Sequence, residues 1–227
     1  MKKVLVFIVT CVLSASAYAQ NKIELDKKFY IGAGVQYTKV GVTEDYVHFL
    51  KRNHPGLGVF AGWRFHDYFG LELGYDWTTR ESKHNDFASG IVLFNSLVVD
   101  TATQIDGKVR HKNLYLDFNT YLPLWNTRND FFVSIGVVSS RPHITAIVTP
   151  TSSNVYTELN DLNGKTHYHL HIGVGIEGMF NKYWGYKGTF RLANTNGMTT
   201  RGTVGNISEV VFKNSGSVHL SLFRYIE

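Results

Sequence analysis

Strict alternation of apolar residues with glycine or polar residues runs through most of this 227-residue chain. The segment FGLELGYDWT at 69–78 has a large apolar residue at every odd position and glycine, an acidic residue or threonine at every even one. Successive side chains of a β-strand point to opposite faces, so a period of two predicts strands rather than helices. Seven further segments show the same pattern, at 29–40, 57–65, 113–122, 131–139, 167–178, 184–192 and 217–227. We therefore predict an all-β chain of eight strands.

The connections between these segments alternate between short and long. Short joins are predicted at 66–68, 123–130 and 181–183. Long polar connections, rich in Thr, Asn, Ser and Gly, are predicted near 40–55, 79–110, 140–166 and 194–215. Outer-membrane barrels have tight periplasmic turns and longer external loops, whereas a soluble sandwich has no reason to sort its loops in this way. The predicted fold is an eight-stranded antiparallel up-and-down transmembrane β-barrel with four long external loops and three short periplasmic turns.

The two faces of the predicted strands differ in a way that favours a lipid-facing exterior. One face carries large aliphatic and aromatic residues with almost no charge, as contact with lipid requires. The other face is crowded with glycine, which suits the narrow interior of an eight-stranded barrel. Aromatic residues gather at the short-turn ends, where an interfacial girdle is expected: Phe65, Tyr68, Phe69, Trp125, Phe131, Phe180, Tyr183 and Trp184. A soluble lipocalin-like barrel, with its apolar face pointing inward, is the alternative that this pattern leaves open.

The N-terminal residues predict an export signal, and the composition excludes several kinds of site. Residues 1–19 combine a basic start, a short apolar run and a small-x-small cleavage site that ends at Ala19. We predict a signal peptide at 1–19 and a barrel domain at 20–227. Cys11 is the only cysteine, so the predicted barrel domain has no disulfide, thiolate zinc site or cysteine nucleophile. The net charge of +5 includes no long basic run, so no nucleic-acid partner is predicted.

Three of these stretches carry a resemblance to a known family. They are FYIGAGVQYT at 29–38, GVFAGWRFHDYFGLELGYD at 58–76 and SVHLSLFRY at 217–225. Together they resemble the eight-stranded outer-membrane β-barrel family that includes OmpA-type transmembrane domains and opacity-type surface proteins. The resemblance implies a monomeric surface protein of the outer membrane of a Gram-negative bacterium, without a cofactor. It also implies a role in envelope integrity or in adhesion to host surfaces.

Seven charged residues fall on the glycine-rich, lumen-facing side of the strands. They are Arg64, Glu72, Asp76, Asp117, Glu177, Lys187 and Arg191. Opposite charges in a narrow lumen offset one another's desolvation, so we predict ion pairs that plug the barrel. The pairs expected are between adjacent strands, such as Arg64 with Glu72 and Glu177 with Lys187 or Arg191. A thin pathway for ions or small solutes is the functional alternative.

Two sets of histidines raise the question of metal binding or catalysis. His167, His169 and His171 recur at two-residue intervals, which places all three imidazoles on one face of a strand. The outer two are about 13 Å apart along a strand, too far to share a zinc ion, so at most one adjacent pair could do so. The weak metal candidates are His169 and His171. We predict that His169 and His171 line the lumen level with its outer mouth and that His167 lies at the rim. His219 and Ser221 resemble the His-x-Ser of lipid A deacylase barrels but point inward, so no catalytic residue and no enzyme activity are predicted.

The predicted 79–110 loop has two features that point to contacts outside the barrel. The apolar run ASGIVLFNSLVVD at 88–100 either packs on the barrel rim or forms a partner surface. The flanks of the loop are basic, with Arg80, Lys83, His84, Lys108, Arg110, His111 and Lys112. Such residues suit the anionic groups of lipopolysaccharide or of a host surface. The predicted partners are therefore outer-membrane lipid, lipopolysaccharide and host-surface molecules.

Overall fold

A computed structural model describes the chain at residues 29–42, 50–88, 92–93, 97–98, 102–124, 129–150, 157–163, 166–196, 198–200 and 210–226. The strands in these ranges are β1 Phe29–Val42, β2 Asn53–His66, β3 Phe69–Thr78, β4 Glu81–Phe87, β5 Val92–Leu93, β6 Leu97–Val98, β7 Thr103–Pro123, β8 Asn129–Pro150, β9 Thr157–Asn163, β10 His167–Met179, β11 Trp184–Ala193, β12 Thr199–Thr200 and β13 Val210–Ile226. Across these ranges, no helix is long and apolar enough to cross a membrane. The predicted signal peptide, Trp125 and most of the apolar run at 88–100 lie outside the described residues.

Eight of the strands close into one antiparallel barrel. Their circular order is β1, β2, β3, β7, β8, β10, β11 and β13, so every strand pairs with its neighbours along the chain. The barrel closes where β13 pairs with β1, with Phe29 opposite Ile226. The joins from β2 to β3 and from β10 to β11 are short, as expected of periplasmic turns. The predicted eight-stranded up-and-down barrel is confirmed.

Alternation along the strands separates an apolar exterior from a polar interior. Large apolar side chains on the outer face are about half exposed, including Val35 at 56%, Leu73 at 52% and Leu116 at 53%. Between them, inward residues such as Glu72 and Asp117 are almost fully buried. A soluble lipocalin-like barrel would bury the apolar face instead, so that alternative is wrong. The exposed apolar band marks the part of the barrel that contacts lipid.

Glycines on the inward face leave room for large aromatic rings in the lumen. A Cβ atom on Gly62 would overlap the ring of Tyr30, and one on Gly74 would overlap the ring of Tyr115. Tyr30 and Tyr115 are 2% and 4% exposed, so both rings are packed inside the barrel. The glycine-rich face therefore belongs to a filled interior in which glycine and aromatic positions complement each other.

Strands continue well beyond the apolar band on one side of the barrel. β7 and β8 pair without interruption from Pro123 opposite Asp130 to Thr103 opposite Pro150. β4 pairs with the outer part of β7, and β9 with the outer part of β8. The segments 79–110 and 140–166, predicted as loops, are therefore partly strands. We call the four-stranded sheet formed by β4, β9 and the parts of β7 and β8 outside the apolar band the external extension.

Candidate functional site: the charged lumen

The inward faces of three barrel strands carry a cluster of charged residues at mid-height. β3 supplies Glu72 and Asp76, β7 supplies Asp117, and β11 supplies Lys187 and Arg191. All five are at most 7% exposed. Each side chain points into the lumen because it occupies the same set of alternate positions as the glycine-rich face of its strand. The fold therefore gathers two cations and three carboxylates in a space that bulk water hardly enters.

Ion pairs in this central cluster cross the lumen. Lys187 Nζ lies 2.5 Å from Glu72 Oε2. Arg191 Nη2 lies 3.0 Å from Asp117 Oδ2 and 3.4 Å from Glu72 Oε1, and its Nη1 lies 3.7 Å from Asp76 Oδ2. Glu72 and Asp117 are directly opposite on neighbouring strands, so two like charges adjoin. Arg191 bridges them, and this offsets their mutual repulsion.

A second cluster closes the lumen at the end that bears the short turns. Arg64 donates from Nη1 to Glu177 Oε1 at 3.0 Å and from Nη2 to Asp130 Oδ2 at 2.7 Å. The same Nη2 donates to the carbonyl of Asp67 in the β2–β3 turn at 2.7 Å. The guanidinium carbon lies 4.0 Å from the centre of the Tyr121 ring. Arg64 therefore ties three barrel segments together near the periplasmic mouth.

The observed partners differ from those that the sequence predicts. We expected Arg64 to pair with Glu72 on the adjacent strand, and Glu177 with a cation on β11. The short distances instead join Arg64 on β2 to Glu177 on β10, and Lys187 on β11 to Glu72 on β3. Inward side chains converge on the barrel axis, so a long cation reaches a carboxylate on the far wall as readily as one on the next strand.

Aromatic rings complete the lumen filling, and the sequence assigned them no role. The Tyr30 hydroxyl donates to Glu72 Oε2 at 3.0 Å. The Arg191 guanidinium lies 3.9 Å from the centre of the Tyr115 ring, and Lys187 Nζ lies 4.4 Å from that of Phe132. Cations held over aromatic faces gain electrostatic attraction when they are desolvated. In the sequence, only the position of these rings on the inward face of their strands could have indicated their role. Asp130 was missed because it lies in a predicted turn.

Small cavities remain on either side of Arg191. A cavity of about 20 Å³ is lined by residues that include Gly34, Lys187 and Ser221. A second, of about 50 Å³, lies toward the outer end and is lined by residues that include Gln36 and Ser217. Both contact Arg191, which therefore lies between them. Such volumes hold one to a few water molecules, not an organic ligand.

The three histidines of β10 line the outer part of the lumen. His169 Nε2 lies 3.0 Å from Ser140 Oγ, and His171 Nε2 lies 2.5 Å from Asp117 Oδ1. His167 lies opposite Ser140, at the outer end of the strand pair. In the part of the chain that the structure describes, no three His, Cys, Asp or Glu side chains are grouped to hold a metal ion. The geometry gives His169 and His171 separate polar partners.

Zinc is expected to leave the thermal stability of the folded chain unchanged. His169 and His171 each contact a different polar group, so zinc binding would have to break those contacts first. The midpoint of thermal unfolding, measured in detergent with and without zinc, checks this. A zinc-dependent rise in the midpoint that is lost in His169→Ala would contradict the prediction.

A closed antiparallel barrel with an apolar exterior and a charged interior defines this chain as a transmembrane β-barrel protein. A model of the outer membrane protein beta-barrel domain matches residues 5–213. The chain belongs to this family, and its place is the bacterial outer membrane. No curated protein sequence matches the chain significantly.

Solved structures with similar architecture include three bacterial outer-membrane proteins. The attachment invasion locus protein Ail of Yersinia pestis, solved with the heparin analogue sucrose octasulfate, is 12% identical, with a TM-score of 0.47, and the match covers 88% of this chain and 99% of Ail. OprG of Pseudomonas aeruginosa is 13% identical, with a TM-score of 0.47, over 88% of this chain and 95% of OprG. A major outer membrane protein of Thermus thermophilus is 10% identical, with a TM-score of 0.48, over 87% and 99%.

Proposed function

We propose that this protein is a non-enzymatic surface protein of the outer membrane, with a closed lumen and an external extension that contacts the cell's surroundings. The observation that carries the proposal is the set of ion pairs that cross the lumen. Lys187 to Glu72 and Arg191 to Asp117 join opposite walls at mid-height, and Arg64 to Glu177 does so near the periplasmic mouth. A solute that moved through the barrel would have to break pairs at both levels.

The burial of these groups supports a structural plug. Moving a charged side chain out of water costs several kcal/mol, and close opposite charges recover this only when the geometry is good. Glu72 and Lys187 side chains are each 2% exposed and 2.5 Å apart. Arg191 is in contact with three carboxylates. Such tightly held pairs stabilise one closed arrangement of the lumen, whereas ion conduction requires binding that is weak enough to release.

The external extension is the part of the molecule that suits interaction with the environment. On β7, the eleven or so residues beyond the apolar band would extend about 35 Å at the rise of a β-strand. β4 and β9 widen this sheet on either side. A sheet raised above the membrane offers a recognition surface of the kind expected for adhesion or for contacts that support envelope integrity. The barrel then serves as its anchor.

Single-channel recording in planar lipid bilayers tests the closed lumen. We expect the detergent-folded wild-type chain to give a flat current trace. Combining D76S/R191S with R64S/E177S removes ion pairs at both levels of the lumen and is expected to produce discrete conductance steps. Ser221→Ala, at a cavity-lining position, is the matched control and is expected to stay closed. Heat-modifiable gel migration confirms that each variant is folded.

The alternative is a channel for ions or small solutes, and the two polar cavities along the lumen are the observation that favours it. Conductance steps from the wild-type chain would establish the alternative and overturn the plug. A silent but correctly folded combined variant would show that the ion pairs at these two levels are not what closes the lumen, and this would contradict the plug.

A further inference from the structure

Cations cluster on the outward face of the external extension, immediately beyond the lipid-facing band. The last outward apolar residue of β7 is Leu114, which is 49% exposed. The next outward positions along β7 are Lys112, Arg110 and Lys108. On β8, Arg141 lies directly opposite Lys112, and His143 lies directly opposite Arg110. The charged face therefore begins one outward position above the apolar face.

Arg80 adds a cation to this cluster at the height of Lys108, the third outward position of β7 beyond Leu114. Its Nη2 donates to Thr145 Oγ1 at 2.8 Å, and Thr145 lies directly opposite Lys108. Arg80 and Lys108 are thus at similar height on the same face. We call the group formed by Lys108, Arg110, Lys112, Arg141, His143 and Arg80 the basic strip. His111, which the sequence placed with the basic loop residues, points inward and is 3% exposed, so it is not part of the strip.

Within the described ranges, four cations of the basic strip lack the carboxylate partners that the lumen cations have. Like charges directly opposite each other on neighbouring strands are destabilising, and Lys112 with Arg141 is such a pair. Among the described residues, no carboxylate forms an ion pair with Lys108, Arg110, Lys112 or Arg141. The next outward carboxylate along β7 is Asp106, which lies 2.8 Å from His84 Nδ1. That hydrogen bond raises the pKa of the exposed His84 imidazole above its usual value.

We propose that the basic strip binds the phosphate groups of a lipid in the outer leaflet, a phosphorylated glycolipid whose acyl chains lie against the apolar band. The position of the strip directly above the apolar band favours a lipid over a soluble polyanion as its ligand. A lipid that packs its chains on Leu114 and its neighbours carries its phosphates at the level of Lys112 and Arg141. A phosphate held between these two residues would also relieve their repulsion.

Two aromatic residues lie at the same border of the apolar band. Trp77 on β3 lies directly opposite Lys112, and Tyr168 on β10 lies opposite Ser139. Tyr168 is 75% exposed, and its ring projects from the outer face. Tyrosine and tryptophan favour the level of lipid headgroups, where the ring is in apolar surroundings and the polar edge meets water. The strip is therefore bordered by residues that mark the headgroup layer.

The proposal depends on the proposed function only in that the external extension faces the outside of the cell. A conducting lumen would overturn the plug and leave the basic strip unaffected. Conversely, loss of lipid binding in a strip variant would not alter the current trace of the barrel.

Lipid A, with its two phosphates, is the probe for a binding titration against the detergent-folded full chain in the same detergent. Each cation at a membrane surface strengthens binding about fivefold, so K112Q/R141Q is expected to bind about 25-fold more weakly than wild type. The matched control is K39Q/K213Q, which removes two exposed cations on β1 and β13, on the opposite side of the barrel. We expect this control to weaken binding by less than about threefold.

Dephosphorylated lipid A and soluble heparin are the two comparison ligands in this titration. The proposal predicts that wild type and K112Q/R141Q bind dephosphorylated lipid A equally weakly, because only the phosphates contact the strip. Equal affinity of wild type and K112Q/R141Q for intact lipid A would overturn the proposal. So would soluble heparin that binds the wild-type strip as tightly as lipid A does, since the strip would then be a site for a soluble polyanion. Gel migration confirms that both double variants are folded.

Discussion

Glu72→Gln is expected to lower the free energy of unfolding by about 3–5 kcal/mol, because it leaves buried cations without their charge partner. Lys187 Nζ is 2.5 Å from Glu72 Oε2, and Arg191 Nη2 is 3.4 Å from Oε1. Arg191 keeps Asp117, but Lys187 loses its closest carboxylate. Reversible urea unfolding of the chain in lipid vesicles, followed by tryptophan fluorescence, measures the loss.

The control for this prediction is an ion pair on the surface of the same protein. Lys51 and Glu81 are 2.8 Å apart, and their side chains are 44% and 24% exposed. Water screens this pair, so Glu81→Gln is expected to cost less than about 1 kcal/mol. Equal losses for Glu72→Gln and Glu81→Gln would show that the lumen cations find other compensation. The double variant E72L/K187L, which removes both charges, is expected to recover most of the lost stability.

Gly62→Val is expected to destabilise the barrel by at least about 2 kcal/mol or to prevent its assembly. The new side chain would overlap the Tyr30 ring, which is 2% exposed and packs against the rings of Phe60, Phe223 and Tyr225. Displacing that ring would also break the hydrogen bond from the Tyr30 hydroxyl to Glu72. The measurement is the fraction of chain that folds into lipid vesicles, read from heat-modifiable gel migration, followed by urea unfolding of the folded fraction.

Gly188→Val is the matched control, because it makes the same change where there is room. The nearest atom to a Cβ on Gly188 is Leu220 Cδ2 at 3.7 Å, an ordinary van der Waals distance. The side chain would lie beside Leu220 on the outer face, so folding and stability are expected to change little. If Gly188→Val is as damaging as Gly62→Val, the effect comes from strand flexibility and not from contact with Tyr30.

The local sequence pattern predicted which side chains enter the lumen. Glu72 and Asp76 alternate with Leu71, Leu73 and Tyr75, and this order is sufficient to place the two carboxylates on the glycine-rich face. The inward position of Arg64 and Lys187 follows in the same way. Alternation does not indicate which residue on the opposite wall of the barrel a given side chain contacts. That depends on strand order and stagger, which link β2 to β10 and β3 to β11 through space.

The external extension shows where the pattern stopped being informative. β4 has the sequence ESKHNDF, which lacks alternating apolar residues because it lies beyond the lipid-facing band. A strand that does not contact lipid needs no apolar face, so the sequence pattern of β4 predicts a polar loop. Its pairing with β7 provides the backbone hydrogen bonds that make it a strand.

The sequence by itself determined the eight strands, their inward and outward faces and the class of membrane protein, because lipid outside and a narrow lumen inside impose a period of two on every spanning segment. Only the tertiary structure decided that Lys187 reaches Glu72, that Arg64 reaches Glu177, and that Lys112 lies beside Arg141. These contacts join residues that are far apart in the chain. Closure of the barrel and the stagger of its strands bring them together, and neither is encoded in any one strand.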